Sequence, residues 1–149
     1  MTDLPVESLP STFEFADAYD LALGGIDYGL DFYLDKARSA AGPVLDVACG
    51  TGRILLPCLQ EGMDIEGIDL FEPMLARLRT KAAELGLTPV LHQGDMSDFS
   101  LPRRFALVMI PFNAFIHNMT QETQISCLAC CRDHLLPGGL LVFDTFFPS

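Results

Sequence analysis

One ten-residue stretch, VLDVACGTGR at positions 44–53, constrains the fold more than any other part of the sequence. It begins as a short apolar strand with an acid, Asp46, near its end, and then breaks into a turn of small residues. The apolar residues from Ile54 onward predict the start of a helix. This order places backbone N–H groups and a helix N-terminus at the carboxyl end of a parallel strand, where open α/β sheets bind ligands. Gly50 and Gly52 allow a ligand to approach the backbone closely and reach dihedrals that other residues avoid.

The turn lacks the third glycine of a dinucleotide-binding fingerprint. That fingerprint has the pattern G-x-G-x-x-G, and its third position falls on Leu55 or Arg53, depending on the frame. Asp46 would also lie close to the pyrophosphate of a dinucleotide and repel it. A carboxylate beside the turn suits a ligand with a cationic end, so an NAD-dependent oxidoreductase is a distant alternative.

Strand and helix patterns alternate from residue 44 onward. The runs at 44–47 and 106–110 are almost continuously apolar, which is typical of strands buried on both faces of a parallel sheet. Alternation of this kind implies right-handed crossovers and a doubly wound α/β fold. We predict strands at 44–47, 64–69, 89–93, 105–110 and 140–146, and helices at 52–61, 72–85 and 120–135.

The residues before the first predicted strand form a separate N-terminal part. Residues 1–12, which contain two prolines, predict an extended arm. Residues 13–41 predict two helices, 13–23 and 28–41, interrupted by two glycines. Together with the α/β core at 44–147, the 149 residues are expected to form one domain.

Five ordered blocks resemble the class I S-adenosylmethionine-dependent methyltransferases, in the branch that acts on small molecules. The nucleotide loop of that family has the form D/E-x-G-x-G-x-G, matched here at 46–52 with alanine for the first glycine. The other blocks are GIDL at 67–70, GDM at 94–96, PFN at 111–113 and LPGG at 136–139. The resemblance implies a Rossmann-like sheet in the order 3-2-1-4-5. Because two more strands follow in the family, it also suggests a truncated relative or the cofactor-binding part of a longer protein.

The resemblance implies S-adenosylmethionine as the cofactor and assigns residues to its methionyl and ribose parts. Asp46 would hold the methionyl ammonium. Asp69, at the end of the second strand, would accept hydrogen bonds from the ribose diol, as a carboxylate there does in dinucleotide sites. Its alternative role is to cap the helix that begins at Glu72. The methionyl tail would lie along the loop that contains Ala48, Gly50, Thr51 and Gly52.

The adenine ring is assigned to the block after the third strand. By resemblance, Asp95 accepts from the adenine amino group and Met96 covers the ring, with Leu70 and Met74 as the opposite apolar wall. Asp95 could instead be a simple turn aspartate, and Met74 could belong to the core.

The methyl group is expected near the loop after the fourth strand, where Phe112 lies. Tyr19 and Tyr33 fall in the N-terminal helices that cover the site in the family, although either could simply pack. His117 is the histidine closest to the expected chemistry. Methyl transfer to a deprotonated nucleophile needs little acid–base help and depends on alignment of the reacting atoms, so no catalytic residue is assigned.

Composition limits the classes of binding partner and the cellular compartment that we expect for the chain. Twenty acids against nine bases give a formal charge of −11, which repels phosphate backbones and argues against nucleic acid. The longest apolar run, 105–112, is too short to span a membrane, and the N-terminus does not resemble a signal peptide. We therefore expect a cytoplasmic protein.

The five cysteines predict buried thiols and no metal site. Cys127, Cys130 and Cys131 lie at helical spacing within an apolar stripe. A metal site would need a second cluster of ligands elsewhere, and the sequence has none.

These observations predict an enzyme that transfers a methyl group directly from S-adenosylmethionine to a small molecule. The alternative is a non-catalytic module that keeps the cofactor pocket. The predicted fifth strand is an apolar segment with a single charge, and it would form an unprotected sheet edge. Such an edge favours strand addition, so a homodimer through it is expected.

Overall fold

A computed structural model of the chain describes Ala16 and residues 29–145. The predicted arm, Tyr19 and most of the first predicted helix lie outside the described residues. The helices are α1 (Leu30–Ser39), α2 (Leu55–Gln60), α3 (Glu72–Glu84) and α4 (Gln121–Asp133). The strands are β1 (Val44–Val47), β2 (Ile65–Asp69), β3 (Val90–Gln93), β4 (Phe105–Ile110) and β5 (Leu135–Phe143), and a short 3₁₀ turn spans Ala114–His117.

The five strands form one parallel sheet in the order β3-β2-β1-β4-β5. This confirms the predicted doubly wound fold and its strand order. β1 lies at the centre, and all four of its residues are buried. No helix among the described residues is long and apolar enough to cross a membrane.

The sheet has an apolar core on each face, because side chains of a strand alternate between the two sides. Val44 and Leu107 belong to the core covered by α1, α2 and α3. Their neighbours Leu45 and Val108 belong to the core that contains Cys127 of α4. The central strands are therefore buried on both sides, as their continuous apolar runs predict.

The first helix of the α/β core begins at Leu55 rather than at residue 52. Gly52 has a φ of 93°, which is outside the range of a right-handed helix. The turn after β1 is therefore longer than predicted, and more of its backbone remains available to a ligand.

β5 differs most from its prediction, since it spans Leu135–Phe143 instead of 140–146. Phe105 of β4 lies opposite Leu135, whereas Leu107 lies opposite Leu140, so the register shifts between the two pairs. The LPGG block forms a bulge inside the strand, with Gly138 at a φ of 79°. Glycine commonly takes such a conformation in bulges.

Candidate ligand-binding site

A cavity of about 480 Å³ lies at the carboxyl ends of β1, β2 and β4. Parallel α/β sheets bind ligands at this edge. Its wall contains ten of the thirteen residues predicted for the site, namely Asp46, Ala48, Gly50, Thr51, Asp69, Leu70, Met74, Asp95, Met96 and Phe112. The other three are Gly52 and Tyr33, which lie behind the wall, and Tyr19, which is outside the described residues.

The loop after β1 combines exposed backbone with an unusual conformation. Ala48, Gly50 and Gly52 all have positive φ, at 58°, 57° and 93°. The Cys49 N–H donates to the carbonyl of Ile68 at 3.0 Å, which ties the loop to β2. Ala48 pays a steric cost that glycine would not, on the order of 1–2 kcal/mol for a left-handed L-residue.

Gly52 supports the loop from behind. A Cβ on Gly52 would lie 2.9 Å from Cγ of Leu78 and 3.0 Å from Cγ of Leu56. The absence of a side chain at Gly52 therefore allows α2 and α3 to pack closely. This role differs from the predicted contact with the ligand.

Asp46 presents a buried carboxylate to the cavity. Its exposed fraction is 1%, and its Oδ1 atom has no hydrogen-bond partner within the described part of the chain. Burial, and then the charge of Asp69, raise the pKa of Asp46 to about 8. Buried polar groups are normally paired, and leaving one unpaired is costly. A cationic donor in the cavity would supply the missing partner.

Asp69 connects β2 to the loop after β1. Its Oδ2 accepts from the N–H of Gly50 at 2.9 Å, and its Oδ1 accepts from the N–H of Phe71 at 2.9 Å. Burial raises the pKa of Asp69, and these backbone hydrogen bonds act in the opposite direction. Each carboxylate oxygen keeps a second acceptor position. The N-cap of α3 is Phe71, so Asp69 does not take its alternative role of capping that helix.

Asp95 lies in the cavity wall, as predicted, and it also stabilises a turn, which was its alternative role. Its Oδ1 accepts from the N–H and the hydroxyl of Ser97, both at 2.8 Å, and these bonds lower the pKa of Asp95. Met96 lies beside it, with its Sδ 3.4 Å from Nδ2 of Asn118. Met74 is almost fully buried, so it contributes both to the core and to the cavity wall.

Phe71 and Arg53 both line the cavity, although neither was among the predicted site residues. Phe71 is 60% exposed, and a large apolar residue two positions after Asp69 was the available signal. The Arg53 guanidinium carbon lies 4.1 Å from the centroid of the Phe112 ring, at a distance typical of a cation–π contact.

Tyr33 lies behind the cavity wall. It is 2% exposed, and its ring meets that of Phe112 edge to face at 5.8 Å. Its hydroxyl donates to Oδ1 of Asp144. Asp144, the one acid in the apolar segment 140–147, was not among the residues singled out from the sequence.

Of the three histidines, His117 alone lines the cavity. His92 pairs with Glu66 at 2.8 Å. Nδ1 of His134 lies 2.6 Å from the carbonyl of Cys130, and its Nε2 accepts from the N–H of Leu101 at 2.9 Å. No group of three metal-binding side chains occurs among the described residues. All five cysteines are free, and four of them are buried.

Residues 44–139 match the sequence profile of a family described as "Methyltransferase domain". The chain belongs to the class I S-adenosylmethionine-dependent methyltransferases. This methyltransferase domain is 38% identical over 144 residues to the dTDP-3-amino-3,4,6-trideoxy-alpha-D-glucopyranose N,N-dimethyltransferase of Streptomyces venezuelae. The match covers 91% of the chain and 59% of that relative.

Solved structures agree with this assignment. The crystal structure of Streptomyces venezuelae DesVI matches with a TM-score of 0.76 and 35% identity, over 89% of this chain and 58% of that one. The glycopeptide N-methyltransferase MtfA complexed with (S)-adenosyl-L-methionine matches with a TM-score of 0.66 and 29% identity, over 91% and 61% of the two chains. This methyltransferase domain therefore spans somewhat more than half the length of the relatives it matches.

Proposed function

We propose that this methyltransferase domain binds S-adenosylmethionine in the cavity at the ends of β1, β2 and β4. The observation that carries the proposal is the buried carboxylate of Asp46, a residue of the cavity wall whose Oδ1 is unpaired among the described residues. The α-ammonium of the methionyl part supplies both the charge and the hydrogen-bond donors that this carboxylate needs. A dinucleotide would instead bring a pyrophosphate close to it.

The positions of the strands support the remaining proposed contacts. Asp69 uses its second acceptor positions for the ribose hydroxyls, while its existing bonds hold Gly50 in place. Asp95 and Met96, after β3, take the adenine ring. Leu70 and Met74 provide the apolar surface beside it. The sulfonium and its methyl group then lie toward Phe112 and the loop after β4.

The protein is further proposed to transfer the methyl group directly to a small acceptor. The relative from Streptomyces venezuelae is named for an amino sugar, which makes an amine on a small, sugar-like molecule the acceptor class to test first. The formal charge of −11 opposes binding of a nucleic-acid backbone. Arg53 and His117 give the cavity wall its basic side chains.

Calorimetric titration with S-adenosylhomocysteine and NAD tests the proposed cofactor. We expect micromolar affinity for S-adenosylhomocysteine and no measurable binding of NAD. Asp69→Ala should lose about 1.5–3 kcal/mol of binding free energy, the range for hydrogen bonds to a charged group. Asp133→Asn, an exposed carboxylate on α4, is the control. Equal affinity in the wild type and Asp69→Ala would remove Asp69 from the site, and binding of NAD alone would overturn the proposal.

The second candidate function is that of a module that binds the cofactor without catalysis. It is worth testing because the chain spans only 59% of the length of the relative from Streptomyces venezuelae. A product assay with a panel of small amine, hydroxyl and carboxyl acceptors distinguishes the two. Turnover at roughly 1 per second or faster would show that these residues form a complete enzyme. Binding without turnover would support the module.

Two further features of the molecule are also proposed. A homodimer through β5 is supported by Leu136, Leu140 and Phe143, which are large apolar side chains exposed near the edge of the sheet. A reducing compartment such as the cytoplasm is supported by the five free cysteines, because disulfides form in oxidising compartments.

A further inference from the structure

Asp144 connects three segments that are distant in sequence. It directly follows β5, and its two carboxylate oxygens accept from the consecutive N–H groups of Phe112 and Asn113, each at 2.8 Å. The hydroxyl of Tyr33, on α1, donates to the same carboxylate. One side chain therefore joins α1, the loop after β4 and the end of β5.

The backbone that Asp144 holds is strained. Phe112 and Asn113 both have left-handed conformations, with φ of 60° and 61°. Residues with a Cβ avoid this region unless the surrounding structure holds them there. Two consecutive residues in this conformation turn both N–H groups to the same side, where a single carboxylate can accept from both. The hydrogen bonds to Asp144 thus stabilise the turn that directs Phe112 to the cavity.

The turn faces one end of the cavity. Phe112 lines the wall and stacks with Arg53, directly after the loop of β1. Asp95 and Met96 follow β3, which is separated from β4 by two strands. At the usual strand spacing, three intervals place the two loops about 14 Å apart. The Phe112 turn therefore borders the region beside Asp46 and Arg53 rather than the one beside Asp95.

We propose that Asp144 is a positioning residue for the methionyl end of the cofactor. It acts through the Phe112 and Asn113 turn, and Tyr33 fixes the orientation of its carboxylate. This inference rests on the proposed function, because it concerns the same cavity and the same cofactor. A turn held in one conformation presents a fixed wall beside the sulfur, which favours alignment of the methyl group with its acceptor.

The test compares two ligands in the same variants. S-adenosylhomocysteine carries the complete amino-acid tail, whereas 5′-methylthioadenosine keeps the adenine, ribose and sulfur but lacks that tail. Asp144→Asn retains the size of the side chain but replaces one acceptor oxygen with an NH₂ group, which cannot accept from a backbone N–H. We expect it to weaken binding of S-adenosylhomocysteine about tenfold or more, and to change binding of methylthioadenosine by less than about twofold.

Tyr33→Phe provides a milder variant that keeps the ring contact with Phe112. It should show the same selectivity with a smaller loss, and it carries the test if Asp144→Asn fails to fold. Asp133→Asn controls for the loss of one negative charge. Amide hydrogen exchange should also become faster at residues 112 and 113 in Asp144→Asn.

The other outcomes separate the positioning role of Asp144 from the proposed function. Equal weakening of both ligands would show that Asp144 only supports the fold, and unchanged affinities would show that it does not act on the site. Either result overturns the positioning role while leaving the proposed cofactor intact. Failure of the wild type to bind S-adenosylhomocysteine would overturn the proposed function, and the positioning role with it.

Discussion

Asp46 carries a buried carboxylate that destabilises the fold, a cost that the proposed ligand would offset. Its carboxylate is buried, and its pKa is raised from 3.8 to about 8. Between these two pH values the folded chain binds more protons than the unfolded chain. The free energy of unfolding therefore falls as the pH rises through this range. The cost is offset when a cation binds, as expected for a functional group whose pKa is perturbed.

Asp46→Asn should therefore stabilise the ligand-free protein at alkaline pH. We expect the free energy of unfolding to exceed that of the wild type by about 1–3 kcal/mol at about pH 8, because the variant buries no charge. The difference should narrow toward pH 5, where residue 46 is neutral in both folded proteins. Urea unfolding at the two pH values measures it, with Asp133→Asn as the control. A variant less stable than the wild type at alkaline pH would contradict the assigned cost.

Alanine substitutions at two glycines of the loop after β1 should affect stability and ligand binding to different extents. Gly52→Ala places a Cβ against Leu78 and Leu56, so we expect it to destabilise the fold by about 2–4 kcal/mol through overpacking and a strained φ. Gly50→Ala meets no atom within 4 Å and should cost only about 1 kcal/mol of stability.

For ligand binding, we expect Gly50→Ala to have the larger effect of the two variants. Gly50 lines the cavity and Gly52 does not, so Gly50→Ala should lower the affinity for S-adenosylhomocysteine more than Gly52→Ala does. Thermal unfolding and calorimetric titration of both variants give the comparison. Equal losses of stability would show that the packing around Gly52 relaxes.

At the scale of single residues, the local sequence was enough to predict those site residues whose position depends only on where a strand ends. Asp46, Asp69 and Asp95 each lie near or just after the end of a strand, and all three line the cavity. Asp144 and the placement of Tyr33 could not be predicted in this way. Their contacts join residues 32 and 111 positions apart in the chain, and only the assembled sheet brings them together.

At the scale of elements, the alternating pattern predicted the strands and the family resemblance predicted their order, but neither predicted the bulge in β5. The apolar residues at 140–143 indicated the strand. The LPGG block before them is typical of a turn, yet it lies within β5, between the Leu135 and Leu140 pairs with β4. Long-range backbone pairing of this kind leaves no periodic signal in the sequence.

The β5 edge leads to a prediction about association. Leu140 is 57% exposed, whereas Val142 packs against the core and would be a poor site for a charge. Leu140→Lys should shift a dimer toward monomer, because a lysine on an edge strand discourages pairing. Leu85→Lys, also at an exposed leucine, is the control on the far side of the sheet. Light scattering across a dilution series measures the change, and a monomeric wild type at high concentration would contradict the proposed dimer.

At the scale of the whole molecule, a doubly wound sheet places the ends of β1, β2 and β4 around one cavity. The acidic side chains there lie within an apolar wall, where Asp46 and Asp69 are both buried. Burial raises the pKa of both carboxylates, and the charge of Asp69 raises that of Asp46 further, a setting that favours a cationic partner. The proposed cofactor satisfies this requirement through its amino-acid end.

The most direct test of this account removes the two charges one at a time. Wild type and Asp46→Asn are titrated with S-adenosylhomocysteine and with an analogue that lacks only the α-amino group. The wild type should prefer S-adenosylhomocysteine by about 30-fold or more, since truncating one partner of a buried charge pair costs about 2 kcal/mol or more. Asp46→Asn should lose most of that preference. If both proteins discriminate equally between the two ligands, Asp46 does not hold the ammonium, and the account is wrong.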